Sequence, residues 1–285
     1  MPDLSIESGF DGPVIGVDEA GRGPWAGPVT IAAAWLDQDA MAGFPPGLDD
    51  SKKMTAASRS AFHGILTQLP HHHVVLSVPV EVIDRDGILK ATLAGMVRAA
   101  ELLAKRLSEA GIGEAAQILI DGNQMPPLAR PAQTVVKGDS RSLSIAAASV
   151  IAKHERDRIM QRLAGENTGY GWERNMGYGT AAHREALDRL GVTRHHRRSF
   201  APIRRLCATG PKHLPAKVNK FRPSARKGTE LAPYPPQDNQ PFRPLYTRSC
   251  ECHDSACQAV DLVGHCPSLG WAGTQKRKKK TGWDA

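Results

Sequence analysis

Three apolar runs of strand length stop at acidic residues. Val14–Val17 stops at Asp18 and Glu19, Ile118–Ile120 stops at Asp121, and Gln133–Val136 stops at Lys137–Gly138–Asp139. In an α/β sheet, strand ends converge on one edge, and ligands bind there. Four carboxylates brought to one edge repel each other, and some stay protonated unless a cation joins them. Hard divalent ions, Mg2+ or Mn2+, prefer oxygen ligands of this kind. No His or Cys stands in the three motifs, which disfavours zinc. An oxygen-only site holding two ions roughly 4 Å apart suits the hydrolysis of a phosphodiester. The competing reading of any one of these acids alone is a solvated turn.

The rest of the pattern frames those strands. Val29–Leu36 reads as a strand joined to the first by GRGPWAGP, which is turn material and predicts an antiparallel hairpin. Thr55 caps a helix running to about Leu69, with Phe62, Ile65, Leu66 and Leu69 as its apolar face. Val74–Val80 alternates like a strand. Leu89, Leu93, Met96, Ala100, Leu103 and Leu107 step by four, three, four, three and four, the spacing of a long amphipathic helix closed near Gly111. Leu143 to about Ala164 reads as a helix, and Thr180 caps another that stops at Gly191. This order predicts an α/β fold with a mixed sheet flanked by helices.

Charge is unevenly placed. The net charge of +8 divides into an acidic stretch, residues 1–136, with 10 Lys/Arg against 16 Asp/Glu, and a basic remainder. Residues 137–206 carry 14 Lys/Arg against 7 Asp/Glu, and residues 207–285 carry 13 against 6. A polyanion held by cations while acids work on it fits this split, and ordinary charge scatter fits it as well. No segment approaches the ~20 apolar residues of a membrane span. The acidic start MPDLSIESGFDG lacks the basic and apolar leader of a secretion signal, so a cytoplasmic protein is expected. No cysteine lies in residues 1–206, so the core needs no disulfide framework.

Six motifs carry a family resemblance: DEAGRGPWAGPV, LDDSKKM, ILIDGN, VVKGDSRSLSIAAASVIAKHERD, GYGTAAH and HHRRSFAPI. In this order they resemble ribonuclease HII, the bacterial type 2 ribonuclease H, over roughly residues 13–206. The resemblance implies a ribonuclease H-like mixed sheet with a helical C-terminal extension, preceded by a lead-in of residues 1–12. It implies cleavage of the RNA strand in RNA/DNA hybrids and nicking of duplex DNA 5′ of an embedded ribonucleotide, which starts ribonucleotide excision. It assigns metal binding and catalysis to Asp18, Glu19, Asp121 and Asp139, with Mg2+ or Mn2+ as the two ions. It assigns reading of the 2′-hydroxyl to Gly21, Arg22 and Gly23, largely through their backbone. That hydroxyl separates RNA from DNA at a given sugar. Tyr178 would pack against the sugar of the next deoxynucleotide. Lys52, Lys53, Arg197, Arg198 and Ser199 resemble phosphate-contacting positions, and Lys137 could tune the site or touch phosphate. Met176 stands where many relatives have Lys before GYG, so one phosphate contact is missing. The partners implied are RNA/DNA hybrid and ribonucleotide-containing duplex DNA, with no membrane, and a monomer is expected.

Other features stay outside the site. GK[ST] does not follow Gly16–Gly21, which excludes a nucleotide-triphosphatase phosphate loop. Lys153 and Asp157 stand four apart on one helix and read as a local ion pair. His71–His73 reads as a solvated strand entry. Residues 207–285 hold nine of the 21 prolines and the run Lys276–Lys280, and they read as a basic linker or disordered tail. Cys250, Cys252, His253, Cys257, His265 and Cys266 could ligate zinc, but their spacing does not match a common finger.

Overall fold

The computed structural model describes residues 1–209 apart from Leu69. The predicted tail from residue 210 onward, including Cys250–Cys266 and Lys276–Lys280, lies outside the described residues, as does Leu69. Five strands, β1 (Val14–Ala20), β2 (Val29–Trp35), β3 (His72–Val78), β4 (Gln117–Asp121) and β5 (Ala132–Val135), form one sheet in the order β3-β2-β1-β4-β5. β1, β2 and β3 are antiparallel neighbours, whereas β4 runs parallel to β1 and β5 parallel to β4. The mixed sheet and the initial hairpin are thus as the sequence predicts.

The register corrects one expectation. β1 does not stop at Val17. Asp18 pairs with Ala32 and Glu19 with Ile31, so both acids are strand residues. A strand alternates its faces, which turns Val17 and Asp18 to opposite sides of the sheet.

The helices are α1 (Ala56–Leu66), α2 (Val80–Asp86), α3 (Ile88–Glu109), α4 (Leu143–Glu166), α5 (Trp172–Asn175), α6 (Ala181–Leu190) and α7 (Ala201–Thr209). Thr55 and Thr180 cap α1 and α6, each accepting an N–H three residues on. The strand predicted over Val74–Val80 sits two residues earlier, because Pro79 ends it and opens α2. α7 continues past Cys207, so the helical part reaches farther than the sequence pattern indicates.

Two apolar layers sandwich the sheet. On one face Ile15, Val17, Ile31, Val74 and Leu76 pack against Met96, Ala99, Ala100 and Leu103 of α3. On the other, Ala32, Ala34 and Val75 pack against Phe62 and Leu66 of α1 and Ala147, Val150 and Ile151 of α4. Gly16 makes the second contact close: a Cβ there would lie 2.2 Å from the backbone of Ser144. The N-terminal lead-in is built into this corner. Glu7, 2 % exposed, accepts from the Ser142 and Ser144 hydroxyls and the Ser144 N–H at the start of α4. A carboxylate there suits the positive end of the helix dipole.

The histidine triplet also departs from its sequence reading. His71 and His73 are buried. His73 shares the face of Val75, toward α1 and α4, and the His71 Nδ1 accepts the Asp37 N–H. A third apolar cluster, with Met160, Tyr170, Trp172, Leu187 and Ile203, holds the C-terminal helices against α4.

Candidate active site

Adjacent central strands β1 and β4 supply Asp18, Glu19 and Asp121. The turn after β5 supplies Asp139. Asp18, Asp121 and Asp139 each offer a carboxylate oxygen, and these oxygens lie within 4.8 Å of one another. Glu19 adjoins them, its Oε1 3.4 Å from Nη1 of Arg22. The left-handed backbone of Lys137 (φ 54°) turns the chain so that the Gly138 N–H donates to Oδ1 of Asp121 at 2.7 Å. That bond joins the β4 and β5 ends of the cluster.

Burial and mutual repulsion govern these groups. The Asp18 carboxyl, 3 % exposed, is held well above its usual range, by burial first and then by Glu19 and Asp121. Burial also raises Glu19, against the opposing pull of Arg22. Asp139 is raised by burial and by Asp121 and Asp50. The compensating cation is Lys52, with Nζ 3.7 Å from Asp139 and 3.8 Å from Asp50. Burial lowers the Lys52 pKa, but the surrounding acids outweigh it and raise it overall. Among the described residues, Lys52 is the one cation within 4.0 Å of the Asp18, Asp121 and Asp139 carboxylates, so they are short of positive charge, which a divalent ion would supply. The donor set therefore fits Mg2+ or Mn2+. Beside it opens a cavity of about 530 Å3 lined by Asp50, Lys52, Lys53, Asp121, Lys137, Asp139 and Ser140.

The sequence reading passes over Asp50, although LDDSKKM contains it. Its approach to Asp139 is a long-range contact that the spacing does not reveal. Lys53 bonds to Asp49 and to the Ser140 hydroxyl, both at 3.2 Å.

The loop after β1 is held from beneath. Gly21 has φ +93°, and a Cβ there would lie 1.8 Å from Nε of Arg156, so both backbone and space require glycine. Arg22 and Gly23 are exposed beside Tyr178, whose ring Cε1 would be 3.5 Å from a Cβ on Gly23. Tyr178 is 49 % exposed. Its backbone is fixed by His183, whose Nδ1 lies 2.9 Å from the Tyr178 carbonyl. Trp172 donates to His183 Nε2 at 3.1 Å, which leaves the His183 proton on Nδ1 for that carbonyl. The Trp25 N–H donates to the Gly177 carbonyl at 2.8 Å and ties the two loops together.

HHRRSF needs correction at two of its three predicted phosphate contacts. Arg197 is fully buried. Its guanidinium donates to the carbonyls of Gly27 (2.9 Å), Arg22 (2.8 Å), Gly21 (2.6 Å) and Pro28 (3.0 Å). Those bonds use four of its five N–H donors, and the group is buried away from any surface where a phosphate would bind. The Ser199 hydroxyl donates to Asp84 at 2.7 Å. Only Arg198 is exposed, and its N–H donates to the other Asp84 oxygen at 2.9 Å. Arg156, which the sequence reading does not single out, is 1 % exposed and donates to the carbonyls of Pro28, Ala26 and Met176. Met176 itself packs with the C-terminal apolar cluster.

Asp157 stays outside the acidic cluster, paired with Lys153 at 2.7 Å and Arg59 at 3.5 Å. His63, His154 and Glu155 also lie close together. There the rings stack at 3.9 Å, and the Glu155 oxygens are taken by His63 and Arg158. This is an α1–α4 packing contact with its charges already satisfied.

The Ribonuclease HII family model matches residues 15–203, which include all four acids and both loops. The chain belongs to the ribonuclease HII family. A ribonuclease HII from Rhodospirillum rubrum is 51% identical over 210 residues, which cover 73% of this chain and 93% of that relative. Solved structures share the fold. The ribonuclease H2 of Pyrococcus horikoshii OT3 superposes with a TM-score of 0.54 at 24% identity, over 68% of this chain and 96% of that one. The Bst ribonuclease HIII solved in complex with Mn2+ gives 0.52 at 20% identity, over 69% of this chain and 70% of that one.

Proposed function

We propose that the chain is an endonuclease that hydrolyses the RNA strand of RNA/DNA hybrids and nicks duplex DNA 5′ of an embedded ribonucleotide. Asp18, Glu19, Asp121 and Asp139 would hold two Mg2+ or Mn2+ ions. The observation that carries this reading is the meeting of Asp18, Asp121 and Asp139 oxygens within 4.8 Å, at a site short of positive charge. Membership of the family supports the activity. The Mn2+ complex of the Bst relative supports the kind of ion.

Bound divalent ions supply an activated water and neutralise charge on the leaving oxygen. The chain's own residues do the rest. Asp121, fixed by the Gly138 N–H, offers a carboxylate oxygen to the site. Lys52, near Asp139, is placed to meet a phosphate oxygen from the cavity side. The Gly21–Gly23 backbone lies against the sugar whose 2′-hydroxyl is read, and Tyr178 packs on its 3′ neighbour. The products carry a 3′-hydroxyl and a 5′-phosphate. All four acids come from one chain, so a monomer provides the complete set.

The test is a pair of duplexes identical but for one ribonucleotide. Mg2+-dependent nicking 5′ of that ribonucleotide, abolished by EDTA and absent from the all-DNA duplex, is the expected result. Equal cleavage of both duplexes would refute the reading.

A further inference from the structure

The two buried arginines are unusual in their partners. Among the described residues, neither Arg156 nor Arg197 has a carboxylate within 4.0 Å. Their hydrogen bonds instead go to seven backbone carbonyl contacts, six of them between Gly21 and Pro28. Burying a cation without a counter-ion is costly, and these contacts offset that cost through one short loop.

The consequence lies in peptide geometry. In a trans peptide the N–H points opposite to the C=O. Arg197 draws the Gly21 carbonyl inward, so the Arg22 N–H of the same peptide points away from it. Arg197 also draws the Arg22 carbonyl inward, so the Gly23 N–H points away too. Among the described residues, neither N–H has a protein acceptor. Two adjacent N–H donors are thus aimed outward from an exposed loop, beside the Tyr178 ring. Arg156 ties the other half of the loop to the Met176 carbonyl, two residues before Tyr178.

We propose that Arg197, braced by Arg156, is a positioning residue for ribonucleotide discrimination: it holds the Gly21–Gly23 peptides with their N–H groups facing the substrate sugar, and it contacts no phosphate. This rests on the ribonuclease reading above. It gives the first arginine of HHRRS a role inside the protein rather than on the nucleic acid. A lysine cannot replace it, because an ammonium lacks the planar fork that reaches four carbonyls at once.

The experiment measures binding of full-length protein to the one-ribonucleotide duplex and to the all-DNA duplex in EDTA, across about 50–200 mM salt. Arg197→Lys is compared with wild type. The expected result is a loss of about 10- to 100-fold in preference for the ribonucleotide duplex, with the slope of log affinity against log salt unchanged. A merely structural role would lower the melting temperature without changing that preference, and this would overturn the proposal. A phosphate contact would preserve the preference in Arg197→Lys, which keeps the charge, and would reduce the slope by about 1 in the charge-removing Arg197→Met, which would also overturn it. Equal binding of both duplexes by wild type points instead to failure of the ribonuclease reading, and the discrimination role falls with it. If Arg197→Lys does not fold, wild-type NMR decides. Slow exchange of the Arg197 Nε proton at neutral pH is expected, and exchange at the rate of a solvent-exposed guanidinium would overturn the clamp.

Discussion

The Gly138 N–H donates to Oδ1 of Asp121 at 2.7 Å, one residue before Asp139. This bond links two acids that stand 18 positions apart in the chain. A methyl group at Gly138 would lie 2.5 Å from Cδ1 of Ile145 and 3.2 Å from Asp121 Oδ1. Gly138→Ala should therefore push the turn off Asp121. The expected effect is a destabilisation of about 1–3 kcal/mol from overpacking, read by thermal melting. Cleavage should fall further than the melt alone explains, and normal cleavage by a folded Gly138→Ala would show that the bond does not set the site.

Tyr178 should act on substrate choice separately from the metal site. Its exposed ring lies beside Gly23, outside the lining of the acidic cavity. Tyr178→Ala should hurt cleavage of a single embedded ribonucleotide more than cleavage of continuous RNA in a hybrid. The loss should be on the order of 1–3 kcal/mol, by analogy with base–aromatic stacking. Divalent-ion affinity should be unchanged. The ratio of kcat/KM on the two substrates measures it, and an unchanged ratio would remove Tyr178 from recognition.

Stability should fall on the acid side of neutrality. Burial, helped by His63 and Arg106, pushes His73 down to about 4. Burial, helped by His183 and His195, pushes His196 down to about 3. Unfolded histidines titrate near 6.5, so between that pH and the folded values the unfolded chain binds more protons and stability drops as pH falls. Glu155 adds to this lower down. Burial would raise it, but hydrogen bonds from His63 and Arg158 hold it at about 2. Its contribution is complete above about 4.5 and is lost as pH falls toward that folded value. His73→Val should flatten the melting curve between about pH 6.5 and 4, removing roughly 3 kcal/mol of pH dependence. A melting temperature that falls equally in wild type and variant would contradict this.

Chemistry should not need the chain beyond α7. Every candidate site residue precedes Ala201, and α7 itself ends at Thr209 with Ile203 buried. A cut after Thr209 should keep kcat, whereas a cut after Leu206 removes the end of a helix. Binding at low salt should weaken if Lys276–Lys280 meet phosphates. Loss of kcat by a folded protein cut after Thr209 would place part of the enzyme in residues 210–285.

The strands, the long helix α3 and the capping roles of Thr55 and Thr180 were legible in the sequence, because apolar periodicity and cap chemistry act within a few residues. The meeting of Asp18, Asp121 and Asp139 was legible too, through their shared position at the close of apolar runs. What escaped depends on distant backbone. β1 runs through Asp18 and Glu19 because β2 supplies pairing partners there, and nothing in DEAGRG reports that. Arg197 sits in a basic cluster that resembles a phosphate-binding surface, yet its acceptors lie 169–176 positions away. Arg156 lies in a helix whose polar residues resemble a solvated face. His73 was misread because a histidine run gives no sign of which ring faces α1 and α4.

The central claim is that four carboxylates from three chain segments form one metal-dependent hydrolytic site. Single-turnover cleavage of the one-ribonucleotide duplex in Mg2+, wild type against Asp121→Asn, tests it most directly. A neutral amide keeps the shape but is a poorer ligand and leaves the ions' charge less balanced. The predicted result is a rate at least about 100-fold lower in a variant that melts like wild type. Near-normal cleavage by Asp121→Asn would contradict the account.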